Sequence, residues 1–97
     1  MTSKQRAYLK SLDMTMDPIL QIGKASLTPE NTASVEEALE ARELIKIIVL
    51  QNCMDDPREI AQVLAERTHS QVVQVIGKKI VLYKEGKKEK KKIVLPK

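Results

Sequence analysis

The sequence predicts a mixed α/β (α+β) fold, a compact mixed four-stranded sheet with three helices packed on it, in the order α-β-α-β-α-β-β. Three observations predict it. Short aliphatic and β-branched runs alternate with stretches whose apolar residues recur at spacings of three and four. Two of those stretches open on a capping residue followed by proline, Thr28-Pro29 and Asp56-Pro57. The segment Val72 to Tyr83 then gives two strands around Gly77-Lys78.

Taken in order, Thr2 or Ser3 caps a first helix running to about Ser11. Its inward stripe is Tyr8, Leu9 and Leu12, and Lys4, Arg6 and Lys10 lie opposite. Arg6 and Lys10 share one face, where like charges repel by roughly 0.2–0.5 kcal/mol. An anion across them relieves that repulsion, and an ordinary solvated face accounts for them equally well. Asp13 to Asp17 is a connector, Pro18 presets an extended entry, and Ile19–Ile22 is the first strand.

Gly23-Lys24-Ala25-Ser26 then forms a tight loop before the second helix. Backbone N–H groups in such a loop, with a helix N-terminus behind them, can face a phosphate, and Lys24 adds a full positive charge. Simple turn chemistry also explains a glycine here.

In the second helix Val35, Ala38, Leu39 and Arg42 mark one face, while Glu36, Glu37, Glu40 and Glu43 make an acidic one that repels nucleic acid. Leu44–Leu50, rich in Ile and Val, suits a central strand covered on both sides. Asp56-Pro57-Arg58-Glu59 has the capping-box arrangement and opens the third helix, whose stripe is Ile60, Val63, Leu64 and Arg67 with Ala61 and Ala65 allowing close approach. That helix ends near Thr68, and His69 suits a left-handed terminator better than a catalytic base. Val72–Ile76 and Lys79–Tyr83 read as a hairpin with a type II′ turn, where Lys78 and Lys79 add positive charge.

Charge divides the chain into a domain, residues 1–83, and a lysine-rich tail, residues 84–97. The tail holds seven Lys and two Glu, a net of +5, which leaves the domain at −1. The basic character is therefore a tail property, suggesting a polyanion partner, with a solubilising tail as the plain alternative. Within the tail, Ile93-Val-Leu-Pro96 either docks as an edge strand or stays loose.

Without Trp or Phe, the chain is poorly equipped for base stacking. A single cysteine, Cys53, and a single histidine, His69, supply neither a disulfide nor a zinc site, so no metal or other cofactor is expected. No catalytic constellation stands out either. The start leads into no apolar signal core, and the longest apolar run, Ile47–Leu50, is too short for a bilayer. A cytoplasmic monomer with no membrane partner is the expectation.

Five fragments carry a resemblance: Lys4-Gln-Arg-Ala-Tyr-Leu-Lys10, Pro18-Ile-Leu-Gln-Ile-Gly-Lys24, Glu36-Ala38-Leu39, Glu43-Leu-Ile-Lys46, and Val73-Gln-Val-Ile-Gly-Lys78 with Leu82-Tyr83. In this order and spacing they resemble the bacterial YhbY-like proteins, the stand-alone form of the CRM RNA-binding domain, across almost the whole chain. The resemblance implies a sheet-and-helix fold similar to the C-terminal domain of a bacterial translation initiation factor. It also implies a non-enzymatic protein that binds structured RNA, with bacterial members associated with precursors of the large ribosomal subunit and related domains assisting intron splicing in plant organelles. The family's GxxG loop, similar to the backbone clamp of KH domains, falls on Gly23, Lys24, Ala25 and Ser26, so Ser26 replaces the second glycine. A serine still offers an N–H and a hydroxyl but implies a looser, more charge-driven grip. The family also tends to have glycine where this chain has His69.

The expected function is binding of ribosomal RNA or a precursor large subunit, with weak sequence readout. The expected contacts are Lys4, Arg6 and Lys10 of the first helix, Gly23, Lys24, Ala25 and Ser26 of the loop, and Lys87, Lys88, Lys90, Lys91 and Lys92 of the tail. The alternative is a protein-interaction module that docks ribosomal or assembly proteins through a sheet edge or the acidic helix.

Overall fold

The computed structural model describes residues 2–86. The elements follow the predicted order: α1 (Ser3–Asp13), β1 (Leu20–Ile22), α2 (Pro29–Arg42), β2 (Leu44–Val49), α3 (Pro57–Thr68), β3 (Gln71–Ile76) and β4 (Lys79–Tyr83). The strands form one mixed sheet in the order β1-β2-β4-β3. β1 runs parallel to β2, and the other pairs are antiparallel. β2 is thus the inner strand that its Ile- and Val-rich composition predicts.

Alternation along β2 sorts the core onto two faces. Ile45, Ile47 and Val49 join Val35, Leu39, Ile60 and Leu64 under α2 and α3. Leu44 joins Leu9, Val73, Val81 and Tyr83 under α1 on the other face. The sheet therefore lies between α1 and the α2/α3 pair.

The helix ends have identifiable causes. Thr2 and Gln5 form a reciprocal capping box at α1. Thr28 caps α2 by accepting from the Asn31 N–H, and Asp56 caps α3 by accepting from the Arg58 N–H. His69 ends α3 in the left-handed conformation, at φ 55° and ψ 41°, as predicted. Gly77, at φ 57°, opens a two-residue turn closed by the Ile76–Lys79 pair, the position at which a type II′ turn needs glycine.

Three expectations fail for local geometric reasons. Tyr8 is exposed because α1 turns Arg6, Leu9 and Asp13 toward the sheet, and Tyr8 lies about 100° round the helix from Leu9. Glu43 does not stand on the acidic solvent face. The helix ends at Arg42, Glu43 takes φ 64°, and its side chain is only 1% exposed. A Cβ on Gly86 would come within 2.7 Å of the Glu43 Oε1, so the returning chain packs directly on that carboxylate. Arg42 and Arg67 end their helical stripes in solvent, where the guanidinium keeps its hydration.

The tail lysines Lys87, Lys88, Lys90, Lys91 and Lys92, and the possible edge strand over 93–96, lie outside the described residues. At the tail's start, the Lys84 N–H donates to the Glu43 carbonyl at 2.9 Å.

Candidate nucleic-acid interface

The βαβ arrangement of β1, α2 and β2 places the carboxyl ends of two parallel strands side by side, with α2 and α3 beginning just beyond them. Helix N-termini carry partial positive charge, about half an elementary charge each, and such a strand end is a common ligand position in α/β folds. The Gly23–Ser26 loop occupies this end. Glu30, Asp55, Asp56 and Glu59 lie in or beside the two helix starts and partly offset the charge.

The loop is internally bonded. The Ser26 N–H donates to the Gly23 carbonyl at 2.9 Å, closing a four-residue turn. Ser26 stands at φ 56°, in the left-handed region that glycine enters without strain. Its carbonyl accepts from Asn31 Nδ2 at 2.8 Å, and its hydroxyl donates to the Asp55 carboxylate. The Ser26 N–H and hydroxyl are therefore both engaged within the protein. What the loop presents is the exposed pair Lys24 and Ala25, with the ammonium of Lys24 as its charge. At Gly23 an added Cβ would meet Leu50 Cδ1 and Asn52 Oδ1 at 3.6 Å, ordinary contact distances, so sterics alone do not require glycine there.

The basic residues of α1 lie elsewhere. Arg6 Nη1 donates to the carbonyls of Val72 and Val73, both at 2.7 Å. These carbonyls flank a register shift between Val72 and Gln74, where a β-bulge disrupts the ladder of β3. Arg6 thus fastens α1 to an edge strand. From there the loop is three strand spacings across, about 14 Å, and about four residues along, so the structure does not bring Arg6 and Lys24 together. Lys4 and Lys10 are exposed on the same helix, on the sheet face opposite α2 and α3.

A buried polar cluster completes the attachment of α1. Lys46 Nζ lies 3.0 Å from Asp13 Oδ1 and donates to the carbonyls of Asp13, at 3.0 Å, and Met16, at 2.9 Å. Oδ1 is held by the charge contact without an aligned hydrogen bond, while Oδ2 accepts from Gln74 Nε2 at 2.8 Å. The only sequence signal for this cluster was a lysine within an otherwise aliphatic inner strand.

The sequence also gives no position for Lys78 and Lys79 relative to the loop. The Lys78 carbonyl accepts from the Val49 N–H at 2.7 Å, which places the hairpin turn beside the end of β2. Both lysines are exposed at the same sheet end as Lys24. Among the described residues no three His, Cys, Asp or Glu side chains gather as a metal site, and no helix is long and apolar enough to cross a membrane.

Comparison with known proteins agrees with this architecture. The chain is 48% identical over 96 residues to the Bacillus subtilis protein named probable RNA-binding protein YqeI, covering 99% of both chains. It is 33% identical to a Haemophilus influenzae protein named RNA-binding protein, covering 99% of this chain and 95% of that one. The solution structure of the Staphylococcus aureus protein SAV1595, described as a candidate RNA-binding protein, matches with 50% identity and a TM-score of 0.81 over 99% of each chain. Residues 1–84 match the CRS1/YhbY (CRM) domain model, the same span that holds the sheet, its three helices and the Gly23–Ser26 loop, and the chain belongs to that family.

Proposed function

We propose that this is a non-enzymatic, monomeric, cytoplasmic RNA-binding protein that engages ribosomal RNA during assembly of the large ribosomal subunit. The observation that carries the reading is Lys24, exposed on a loop at the carboxyl ends of two parallel strands and beside two helix N-termini, in a CRM-family chain whose relatives are named for RNA binding. The resemblance to YhbY-like proteins supports the ribosomal precursor as the RNA. Lys24 supplies a point charge to the sugar-phosphate backbone, Lys4 and Lys10 extend the positive surface on α1, and Lys87, Lys88, Lys90, Lys91 and Lys92 add attraction from the tail. Ser26 holds the loop's shape rather than donating to phosphate, because both of its donors are engaged.

Lysine contacts recognise charge and shape, so sequence discrimination is weak. With about five phosphates neutralised, affinity for single-stranded RNA falls with salt at a log–log slope of about −3.5. Filter binding across a salt series tests this, and a flat response would sink the reading. The Lys24→Ala variant should lose about 0.7 of that slope.

A further inference from the structure

Three turns meet at the sheet end that carries the loop. The first is Gly23–Ser26, closed by the Ser26 N–H on the Gly23 carbonyl. The second, Leu50–Cys53, follows β2 and is closed by the Cys53 N–H on the Leu50 carbonyl at 3.0 Å. The third is the hairpin turn Gly77-Lys78. Hydrogen bonds between neighbours fix their order: the Leu50 N–H donates to the Ile22 carbonyl at 2.8 Å, and the Val49 N–H donates to the Lys78 carbonyl at 2.7 Å. The turns therefore form a row across the ends of β1, β2 and the β4–β3 hairpin, spanning about 10–14 Å.

We infer that a single RNA strand crosses this row at right angles to the β-strands, held at one end by Lys24 and at the other by Lys78 and Lys79, with Asn52 meeting a base or ribose between them. The inference rests on the RNA-binding reading above and extends the contact beyond the loop to Asn52, Lys78 and Lys79.

The chemistry along the row fits that ligand. Its two ends are cationic, and the segments 50–52 and 76–79 contain no carboxylate. Asp55, the nearest acidic residue after Asn52, bonds the Ser26 hydroxyl, so one carboxylate stands at the Lys24 end and the Lys78–Lys79 end carries the larger positive charge. Asn52 is exposed beside Gly23, with Oδ1 3.6 Å and Nδ2 4.0 Å from where a Cβ of Gly23 would stand. Its amide has a donor and an acceptor to offer a base edge. Ile76, 62% exposed, directly precedes the hairpin turn, and Met54, 93% exposed, directly follows the Leu50–Cys53 turn. They offer aliphatic surface to sugars and bases. Tyr83, by contrast, pairs with Leu44 and Gln71 at the opposite end of the sheet, so its ring has no part in this contact.

Fluorescence anisotropy with a labelled, mixed-sequence single-stranded RNA oligonucleotide tests the inference on the full chain. Lys78→Ala with Lys79→Ala should weaken binding about tenfold and flatten the log–log salt slope by about 1.4, two phosphate contacts at about 0.7 each. Asn52→Ala should weaken binding without changing the slope, because a neutral contact releases no counterion. Amide resonances of Gly23, Asn52 and Gly77 should shift together on titration with the same RNA, a readout independent of any variant. Unchanged affinity and slope in the double lysine variant, with the parent binding normally, would overturn the inference alone. A parent that binds no RNA would overturn it together with the reading on which it rests.

Discussion

Ser26 shows how one residue can preserve a loop's shape while changing its chemistry. The left-handed conformation costs a non-glycine residue about 1–2 kcal/mol, and the bonds that Ser26 makes to Asp55 and Gly23 offset part of it. Ser26→Gly should therefore change stability by less than about 1 kcal/mol while releasing Asp55 from the loop. Asp55→Asn, which removes one negative charge beside the Gly23–Ser26 loop, should tighten RNA binding about threefold in anisotropy titrations. Tyr83 makes a second prediction at this scale. Its hydroxyl is buried without a hydrogen-bond partner among the described residues. Burial, then Glu43, then Glu85 push its pKa from 10.0 to about 12. Below pH 10 folded and unfolded chains both keep the proton, so Tyr83 adds no pH dependence; from 10 to 12 the unfolded chain loses it first and stability falls. Tyr83→Phe should be no less stable than the parent at neutral pH and should show a shallower alkaline loss in urea titrations.

At the scale of elements, α1 is held by few but specific contacts. Leu9 supplies the apolar anchor, Arg6 bridges to the bulge of β3, and Asp13 pairs with Lys46 of the inner strand. Removing one member of a buried ion pair strands the other, at a cost of about 3–5 kcal/mol. Asp13→Leu and Lys46→Met should each lower the urea midpoint strongly, and the double variant should recover most of the loss because neither charge is left alone. Additive losses would show that the pair is not a unit. The same geometry explains why Tyr8 is exposed: the helix is oriented by polar anchors at Arg6 and Asp13, and periodicity counts only apolar residues. Glu43 makes the parallel case at the end of α2. Its spacing matches Glu36 and Glu40, but leaving the helix turns its side chain inward.

Across the whole molecule, the described domain and the lysine tail divide the electrostatics. Removing residues 87–97 takes away six lysines and one glutamate, changing the net charge from +4 to −1. That truncation keeps Gly86 against Glu43 and should leave the urea midpoint unchanged while weakening RNA binding and flattening its salt dependence. A truncated chain with undiminished affinity would place the whole grip in the domain. The sequence by itself determined the order of elements, the helix starts at Thr28-Pro29 and Asp56-Pro57, the inner position of β2, the hairpin turn and the left-handed His69. Each of these depends on neighbours within a few residues, where periodicity, caps and backbone preferences act. The five sequence fragments also pointed to the family. Only the tertiary structure decided that α1 lies across the sheet from α2 and α3, that Arg6 and Lys46 are consumed by carbonyls and a carboxylate, that Asp55 holds Ser26, and that Lys78 and Lys79 share a sheet end with Lys24. Those placements join residues separated by about 29 to 67 positions, and strand pairing fixes them through hydrogen-bond register that local sequence does not encode.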